Sequence, residues 1–310
     1  MEIRQLGDNG PELSVVGLGC NNFGMKLDAE QTTEVVHAAL DAGITHFDTA
    51  EMYGDGQSEV YLGAALGSRR DEVAIATKFT PRPADQPYTP GVLRQRILDA
   101  CDQSLQRLGT DRIDLYYQHY PDADAPIDEA LETLDALVRD GKVVAIASSN
   151  VGADRIDAAA DAAAGKGVSA FCAPQLQWNL LQREEEESTI PAARRHRMGI
   201  VPYFPLASGL LTGKYRRGQD FPEGSRFAVM SYFAGGATDE NFDMVEALDA
   251  FARSRGHSIL ELAMAWLAAQ DGVGSVIAGA TTPEQVRTNV AAAEWLLAPE
   301  DLAAIDAIGP

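Results

Sequence analysis

Four side chains that can transfer or steer protons lie at, or just beyond, the ends of successive apolar segments. Asp48 ends one segment and Tyr53 follows it by five residues in HFDTAEMYG; Lys78 and His119 end the next two segments. A tyrosine has a reference pKa of about 10, and a neighbouring ammonium group lowers that pKa. Asp48 can hold Lys78 in place and charged, while His119 can donate a hydrogen bond to a substrate oxygen. The set predicts proton transfer at a carbonyl oxygen, with Tyr53 as general acid in reduction and base in oxidation.

These groups supply a proton but no electrons, so the chemistry implies a separate hydride donor. Two other interpretations stay open at this point. Asp48 could cap the next element while Tyr53 only packs, because caps and turns favour Asp. Lys78 could instead be the nucleophile of a Schiff-base enzyme. A lone Lys or Asp at the end of an apolar strand is costly unless it is paired, which favours a joint role for the four groups.

Elements that would position these groups recur along the whole chain, as short apolar runs that alternate with helical patterns. The runs are 14–19, 44–48, 73–79, 113–119, 143–150, 170–178, 199–207 and 274–280. Continuous apolar strands are typical of a parallel sheet covered on both faces, and eight βα units predict an α/β fold, a (β/α)8 TIM barrel. The segment before them, with Asp8-Asn9-Gly10, predicts an N-terminal β-hairpin that caps the barrel.

A doubly wound open sheet is the alternative fold. It would place a glycine fingerprint after the first strand, and VGLGCNNFG does not match that pattern. We therefore expect residues 1–310 to form a single barrel domain. Glu184 to Glu187 are expected to be the negative first turn of a helix whose positive last turn holds Arg194, Arg195 and Arg197.

The composition of the chain argues against several classes of binding partner. The formal net charge is −21, which repels nucleic acid and anionic membranes, so neither is expected as a partner. Three cysteines without C-x-x-C spacing suggest a reducing compartment, with no disulfide framework and no structural zinc. The N-terminal residues do not resemble a signal peptide, and no apolar run reaches the roughly 18 residues of a membrane span. These features predict a cytoplasmic protein.

The four residues and their surroundings resemble the catalytic tetrad of the aldo-keto reductases, in FDTAEMYG, IATKF and LYYQHYP. The resemblance continues through GLGCNNFG, ASSN, PQLQWN, PYFPLASGLLTGKY and IAGATTPEQVRTN, and so covers nearly the whole chain. It implies an NADP(H)-dependent oxidoreductase that passes the pro-R hydride to the carbonyl carbon of an aldehyde or ketone. The same resemblance leaves a second function open, that of a cofactor-binding regulatory subunit like the potassium-channel β subunits.

The resemblance also implies the cofactor site. Ser149, Asn150 and Gln175 match residues that hold the nicotinamide carboxamide, and Trp178 matches the aromatic residue that stacks on the nicotinamide. The segment 205–214 matches the loop over the diphosphate, and 279–289 matches the adenosine-phosphate end. The cofactor-binding residues implied in full are Gly19, Asn21, Asp48, Ser149, Asn150, Gln175, Trp178, Pro205, Leu206, Ser208, Gly209, Leu211, Lys214, Gly279, Thr281, Thr282, Gln285 and Asn289.

Two departures from the family pattern affect specificity. Gly279 and Gln285 stand where reductases committed to NADPH often have Lys and Arg, so NAD(H) is expected as a secondary cofactor. Cys20-Asn21-Asn22 replaces a common Thr-Trp type pair in one wall of the substrate pocket. The expected wall comprises Asn21, Phe23, Met25, Met52, Tyr53, Pro81, His119, Tyr120 and the loop 227–233. A small aldehyde or ketone is the expected partner, and a monomer or small homo-oligomer the expected state.

Overall fold

Eight parallel strands form a closed barrel in the computed structural model, which describes residues 1–83, 85–229 and 234–309. Around the barrel the order is β10-β3-β4-β5-β6-β7-β8-β9. The barrel strands are β3 Val16–Gly19, β4 His46–Asp48, β5 Ala74–Phe79, β6 Ile113–Gln118, β7 Val143–Ser149, β8 Pro174–Gln177, β9 Val201–Tyr203 and β10 Val276–Gly279. Each lies within one of the eight predicted runs, and the (β/α)8 prediction is confirmed.

The N-terminal hairpin is confirmed as well. Strands β1 Ile3–Gln5 and β2 Glu12–Ser14 pair antiparallel, with Ile3 opposite Ser14. The turn between them packs tightly against the chain that enters β9. A Cβ on Gly7, whose φ is +59°, would lie 2.6 Å from the backbone nitrogen of Gly199. Only glycine suits both that left-handed conformation and that close approach.

Helices lie between the barrel strands and after the last one. They are α1 Ala29–Asp41, α2 Gln57–Leu66, α3 Val92–Leu108, α4 Ile127–Arg139, α5 Ala153–Lys166, α6 Thr189–Arg195, α7 Arg226–Val229, α8 Asp239–Ser254, α9 Ile259–Ala268, α10 Pro283–Ala292 and α11 Pro299–Asp306. Local sequence explains several starts: Asp28 with Gln31, and Ser258 with Glu261, form capping boxes at α1 and α9. No helix in the described parts of the chain is both long and apolar enough to cross a bilayer.

Two apolar layers hold the fold together. The larger one fills the space between the barrel and the helices. The smaller one fills the barrel itself, with side chains such as Leu115, Tyr117 and Val201, and it includes Leu6 and Leu13 of the hairpin region. Burying a leucine side chain contributes about 2 kcal/mol to stability. Because the hairpin closes the N-terminal end with apolar groups, the C-terminal end is left to carry polar residues.

The helix expected from the acidic run is arranged differently. Glu184–Glu186 form a separate 3-10 turn, and α6 begins only at Thr189. Pro191 explains this start, since a proline without an N–H group fits only the first turn of a helix. Arg194 and Arg195 do lie in the last turn of α6, whereas Arg197 lies beyond it with φ +54°.

Candidate active site

The C-terminal ends of β4 and β5 bring a carboxylate and an ammonium group together inside the barrel. Asp48 is the last residue of β4, and Lys78 is the fifth residue of β5. Lys78 Nζ donates to Asp48 Oδ1 at 2.5 Å and to the Thr49 carbonyl oxygen at 2.9 Å. The Lys78 side chain is fully buried. Burial is the largest single influence and lowers the pKa of Lys78, but the charges and hydrogen bonds of Asp48 and Tyr53 together raise this pKa above its usual value.

Tyr53 lies beside this pair, at the start of the 3-10 turn Tyr53–Gly56. Lys78 Nζ donates to the Tyr53 hydroxyl at 3.5 Å. Burial raises the pKa of the Tyr53 phenol, and the opposing influence of Lys78 does not cancel it. Lys78 does lower this pKa, as expected, but the expectation of a lowered value overall is corrected, because loss of water around the phenol is the larger effect. The phenol stays protonated at neutral pH, which is the state that a general acid requires.

His119, just after β6, faces the Tyr53 ring. The two ring centroids are 6.0 Å apart with planes at 83°, and Tyr120 stacks on the other side of the imidazole with centroids 4.6 Å apart. Burial, and then the Lys78 charge, lower the pKa of His119 to about 3. The imidazole is therefore neutral. Within the described residues its buried Nδ1 has no hydrogen-bond partner, so ring packing rather than a hydrogen bond orients it.

Amide side chains connect the tetrad to the neighbouring strands. Gln175 Nε2 donates to Asp48 Oδ2 at 2.8 Å. Asn150 Nδ2 donates to the His119 carbonyl oxygen at 3.0 Å, and Ser149 Oγ donates to the Gln175 carbonyl oxygen at 3.0 Å. The expected carboxamide-binding residues thus lie directly beside the proton-transfer residues.

A cleft of about 910 Å³ opens above these groups. Most of the residues implied by the resemblance line it. They are Gly19, Asn21, Asp48, Met52, Tyr53, His119, Tyr120, Ser149, Asn150, Gln175, Pro205, Leu206, Ser208, Gly209, Lys214, Gly279, Thr281, Thr282, Gln285 and Asn289. The structure adds their convergence from five strands, β3, β4, β7, β8 and β10, and from the segments that follow the barrel strands. Their individual roles stay predictions.

The prediction for Trp178 is corrected. Its side chain is 1 % exposed, its Nε1 donates to Glu186 Oε1 at 2.9 Å, and its ring packs edge-on against Trp266. It belongs to the layer between the barrel and the helices. Side chains of a strand alternate between its faces, so Trp178, three residues after the cleft-lining Gln175, faces the other way.

Tyr203, at the end of β9, supplies an aromatic ring to the cleft where Trp178 does not. Its hydroxyl donates to Asn150 Oδ1 at 2.7 Å. Tyr203 lies in the middle of the predicted strand 199–207, whereas the observed β9 ends at this residue, so no signal in the sequence identifies it. Cys20 and Asn22, expected in one wall of the substrate pocket, also line the cleft. Other cleft-lining residues absent from the prediction are Lys26, Phe204, Thr212, Gly224, Ser225, Arg226, Leu260, Ile277, Ala278, Glu284 and Thr288.

Four further assignments to the cleft are not supported. Phe23 and Leu211 are fully buried in the layer between barrel and helices. Met25 and Pro81 are not among the residues that line the cleft. In the expected wall 227–233, Phe227 is buried against Tyr215, and residues 230–233 lie outside the described residues.

The backbone that follows β9 is unusual. Ala207, Ser208 and Gly209 all have positive φ, at 44°, 56° and 107°. For residues with a Cβ this conformation costs about 1–2 kcal/mol each. Such strained segments concentrate at ligand sites. The N–H groups of Ala207 and Gly209 donate to the carbonyl oxygens of Phe204 and Leu206, at 2.9 and 2.7 Å.

The far end of the cleft is the N-terminus of α10. Thr282 Oγ1 caps this helix by accepting from Gln285 N at 3.3 Å. Gln285 in turn folds back, and its Oε1 accepts from Thr281 N at 2.8 Å. A helix N-terminus carries a partial positive charge, so this end of the cleft suits an anion.

Comparison with known proteins agrees with this site. A family model described as the Aldo/keto reductase family matches residues 15–310. The chain belongs to the aldo/keto reductase family. This membership supports NAD(P)-dependent oxidoreduction and accounts for the four residues at the ends of β4, β5 and β6.

Curated members of the family carry both reductase and channel-subunit names. The chain is 34% identical over 315 residues to the aldo-keto reductase YhdN of Bacillus subtilis, which covers 99% of this chain and 93% of the relative. It is 33% identical over 318 residues to a probable voltage-gated potassium channel subunit beta of Oryza sativa, with 99% and 96% covered. It is 32% identical over 320 residues to the L-glyceraldehyde 3-phosphate reductase of Escherichia coli K12, with 99% and 92% covered.

Proposed function

We propose that this protein reduces aldehydes or ketones with NADPH, and that Tyr53 gives its proton to the carbonyl oxygen. The observation that carries the proposal is the contact chain in which Lys78 Nζ reaches both Asp48, at 2.5 Å, and the Tyr53 hydroxyl, at 3.5 Å. When bound, the reduced nicotinamide supplies the hydride. Side chains at the strand ends donate the proton and orient the substrate oxygen.

The proton moves from the Tyr53 hydroxyl as negative charge develops on the substrate oxygen. The phenolate left behind is stabilised by the Lys78 ammonium group, because opposite charges attract strongly in a site with little water. Asp48 keeps Lys78 charged despite its burial. His119, neutral because its pKa is about 3, donates a hydrogen bond to the substrate oxygen and does not compete with Tyr53 as the acid.

The cleft fits a dinucleotide in three places. Amide groups of Asn150 and Gln175 lie beside the tetrad, where a carboxamide would find donors and acceptors, and the Tyr203 ring offers a face for stacking. Ser208 and Gly209 of the left-handed segment line the cleft, and Lys214 beside them offers a positive charge to a diphosphate. The N-terminus of α10 offers a further anion site at the adenosine end.

Preference for NADPH over NADH is part of the proposal. Lys214 and Arg226 bring positive charge to the cleft of a chain whose formal net charge is −21. A 2′-phosphate adds negative charge to the cofactor, which such cations favour. NAD(H) is retained as a secondary cofactor, because Gly279 and Gln285 bring no positive charge to the α10 end, and Glu284 adds a negative one there.

The substrate pocket next to Tyr53 is bordered by exposed apolar groups. Met52 and Tyr120 are 50% and 42% exposed and both line the cleft. Covering them with a substrate releases water from apolar surface, which favours binding. We therefore propose uncharged aldehydes or ketones with an apolar or aromatic substituent as the substrate class.

The test is absorbance at the reduced-nicotinamide band with NADPH or NADH and a panel of aldehydes and ketones. Carbonyl-dependent oxidation that falls by about 1,000-fold in Tyr53→Phe, with cofactor affinity nearly unchanged, is the expected result. Tyr61→Phe, a half-buried tyrosine of α2 outside the cleft, is the matched control and should retain activity. Near-normal turnover of Tyr53→Phe would sink the mechanism.

Two other outcomes separate the alternatives. Tight NADPH binding without oxidation on any substrate would favour a regulatory subunit, a function suggested by the name of the rice relative. Trapping of substrate on Lys78 by borohydride would favour the Schiff-base alternative. Carbonyl-dependent oxidation of the reduced nicotinamide, without trapping of substrate on Lys78, would exclude the Schiff-base alternative.

A further inference from the structure

The short link that joins β4 to Tyr53 is tied by its backbone to the neighbouring strand β5. The Thr49 N–H donates to the Ala76 carbonyl oxygen at 2.8 Å. The Glu51 N–H donates to the Lys78 carbonyl oxygen at 3.2 Å. Since the link leads directly into Tyr53, these contacts set the position of Tyr53 relative to the strand that carries Lys78.

The side chain of Glu51 adds a third tie to the same edge of β5. Its Oε1 accepts from the N–H of Thr80, the residue that follows β5, at 2.6 Å. The same oxygen pairs with the Arg96 guanidinium of α3. A carboxylate held by a backbone N–H and a guanidinium makes charge-assisted hydrogen bonds, which are stronger than neutral ones. Glu51 therefore joins the link to both β5 and α3.

The contact between Lys78 and Tyr53 is the one that a small movement of the link would break. Lys78 Nζ is held firmly on its other sides, by Asp48 Oδ1 at 2.5 Å and by the Thr49 carbonyl oxygen at 2.9 Å. Its distance to the Tyr53 hydroxyl is 3.5 Å, beyond the usual range of about 2.7–3.2 Å. Because the ammonium group is fixed, the position of Tyr53 decides whether this contact exists.

Glu51 is not itself part of the reacting site. In the part of the chain that the structure describes, it is not among the residues that line the cleft. It therefore has no contact with a bound substrate or dinucleotide there. An effect of Glu51 on the reaction has to pass through Tyr53 or Lys78.

The opposite end of β5 carries a contact of the same kind. Asp114 Oδ2, on β6, accepts from the Ile75 N–H at 2.8 Å and from Arg70 Nη2 at 2.6 Å. The side chains of Asp114 and Glu51 are 12% and 11% exposed. The two carboxylates thus match in burial and in partners, but only Glu51 lies in the link to Tyr53. Comparing them separates support of the fold from support of the reaction.

We propose that Glu51 is a positioning residue, which holds the link so that the Tyr53 hydroxyl stays within reach of the Lys78 ammonium group while the proton leaves. This inference rests on the proposed function, in which Tyr53 is the acid. Glu51 exchanges no proton itself. The attraction between the ammonium group and the developing phenolate decreases as their separation grows. A loosened link therefore slows proton transfer and leaves the binding of the dinucleotide intact.

The experiment compares Glu51→Ala with the unchanged protein in single turnovers. NADPH is bound beforehand, and the most rapidly reduced carbonyl compound of the panel is added at saturation. The rate should fall about 10- to 100-fold, because a misplacement of about 1 Å has an effect of this size. The Kd of NADPH and the KM of the carbonyl substrate should stay nearly unchanged. Glu51→Gln keeps an oxygen for the Thr80 N–H and should restore most of the rate.

A second background tests whether Glu51 acts through the Tyr53 hydroxyl. That hydroxyl is absent in Tyr53→Phe, so the addition of Glu51→Ala should lower the residual rate no further. A role in the fold alone would lower the rate by the same factor in both backgrounds.

Asp114→Ala is the matched control. It removes the equivalent contacts at the other end of β5 and should lower the Tm while the single-turnover rate stays unchanged. Arg96→Met leaves the Glu51 carboxylate in place without its cation, and it should lower the rate in the same direction by a smaller factor. Where Glu51→Ala does not fold, Arg96→Met provides the test. Thermal unfolding of every variant measures the change in stability.

Several results would overturn the inference. These are an unchanged single-turnover rate in Glu51→Ala, an equal fall in Asp114→Ala, an equal further fall in the Tyr53→Phe background, or a change confined to the Kd of NADPH. Near-normal turnover of Tyr53→Phe would instead overturn the proposed function together with the inference. A normal rate in Glu51→Ala beside an inactive Tyr53→Phe would overturn the inference alone, so the two failures are distinguishable.

Discussion

Two levels of the barrel interior handle buried ionisable groups in opposite ways. At the upper level Asp48 and Lys78 form a charged pair, 2.5 Å apart. At the level below, His46 lies two residues earlier on the same strand, and its Nδ1 and Ser275 Oγ are 2.8 Å apart. Burial is the main influence that lowers the pKa of His46, to about 4, so this group is neutral.

The difference between the two levels shows that a buried charge is retained only where it acts on another group of the site. The free energy lost when an ion pair is removed from water offsets much of the attraction between its charges. A neutral hydrogen-bonded group is therefore less costly to bury. The lower level holds such a group. The upper level keeps its charges because Lys78 acts on Tyr53, which a neutral side chain would not do. The charged level lies at the C-terminal end of the strands, where barrels of this kind carry their chemistry.

Removal of the upper charge gives the largest expected effect. Lys78→Met should lower kcat by about 100-fold or more, because the Tyr53 phenolate loses its stabilising charge. It should also lower the free energy of unfolding by about 3–5 kcal/mol, because Asp48 is left buried without its cation. Enzyme assay and urea denaturation measure the two effects.

The double variant Lys78→Met with Asp48→Asn sharpens this comparison. It should regain much of the lost stability, since no uncompensated carboxylate remains, yet stay inactive. Equal stability of Lys78→Met and the unchanged protein would show that the pair is not the charged unit described here.

The free energy of unfolding at acid pH should depend on His46, the buried group at the lower level of the barrel. The pKa of His46 is about 4 in the folded protein and about 6.5 in an unfolded chain, so unfolding takes up a proton between these values. Stability is complete above about pH 6.5 and decreases as the pH falls toward 4, by about 3 kcal/mol for this group. His119, with a pKa of about 3, adds to the loss in the same direction.

Urea denaturation at pH 7, 6, 5 and 4 measures this dependence. His46→Asn should reduce its slope, whereas His37→Gln, on the exposed side of α1, should leave the slope unchanged. The slope is compared rather than the absolute stability, because His46→Asn also changes packing. A slope in His46→Asn equal to that of the unchanged protein would contradict a neutral buried His46.

The smallest expected effect distinguishes Trp178 from Tyr203. Trp178→Phe should lower the free energy of unfolding by about 1–3 kcal/mol through lost packing, and leave the Kd of NADPH unchanged. Tyr203→Leu should raise that Kd about tenfold through lost stacking. Fluorescence titration and thermal unfolding measure both variants. A cofactor effect confined to Trp178→Phe would reverse the assignment.

Much of the site could be predicted because it depends on local pattern. Apolar runs of four to eight residues indicate the strands, and the residue types at their ends indicate the chemistry. Asp48, Lys78 and His119 were identified in this way and lie together in the structure. That residues 1–310 act as one domain, and that the protein is cytoplasmic, stay predictions.

Other features could not be predicted in the same way. The predicted strand 170–178 is longer than β8 Pro174–Gln177, and Trp178 lies one residue beyond the end of the observed strand. The start of α6 at Thr189 depends on Pro191, a single residue within a charge pattern that by itself favours a helix beginning at Glu184. Both errors arose from element boundaries, which short stretches of sequence define least well.

The sequence by itself determined the order of the barrel strands and the N-terminal hairpin, and it supplied the candidates for proton transfer, because each depends on residues close together in the chain. Only the tertiary structure decided that Tyr203 and not Trp178 enters the cleft, that Lys26 lines the same cleft as Lys214 and Arg226, and that the pKa of Tyr53 is raised. These three depend on which distant segments meet and on how much water they exclude. Both are consequences of packing, which no local pattern contains.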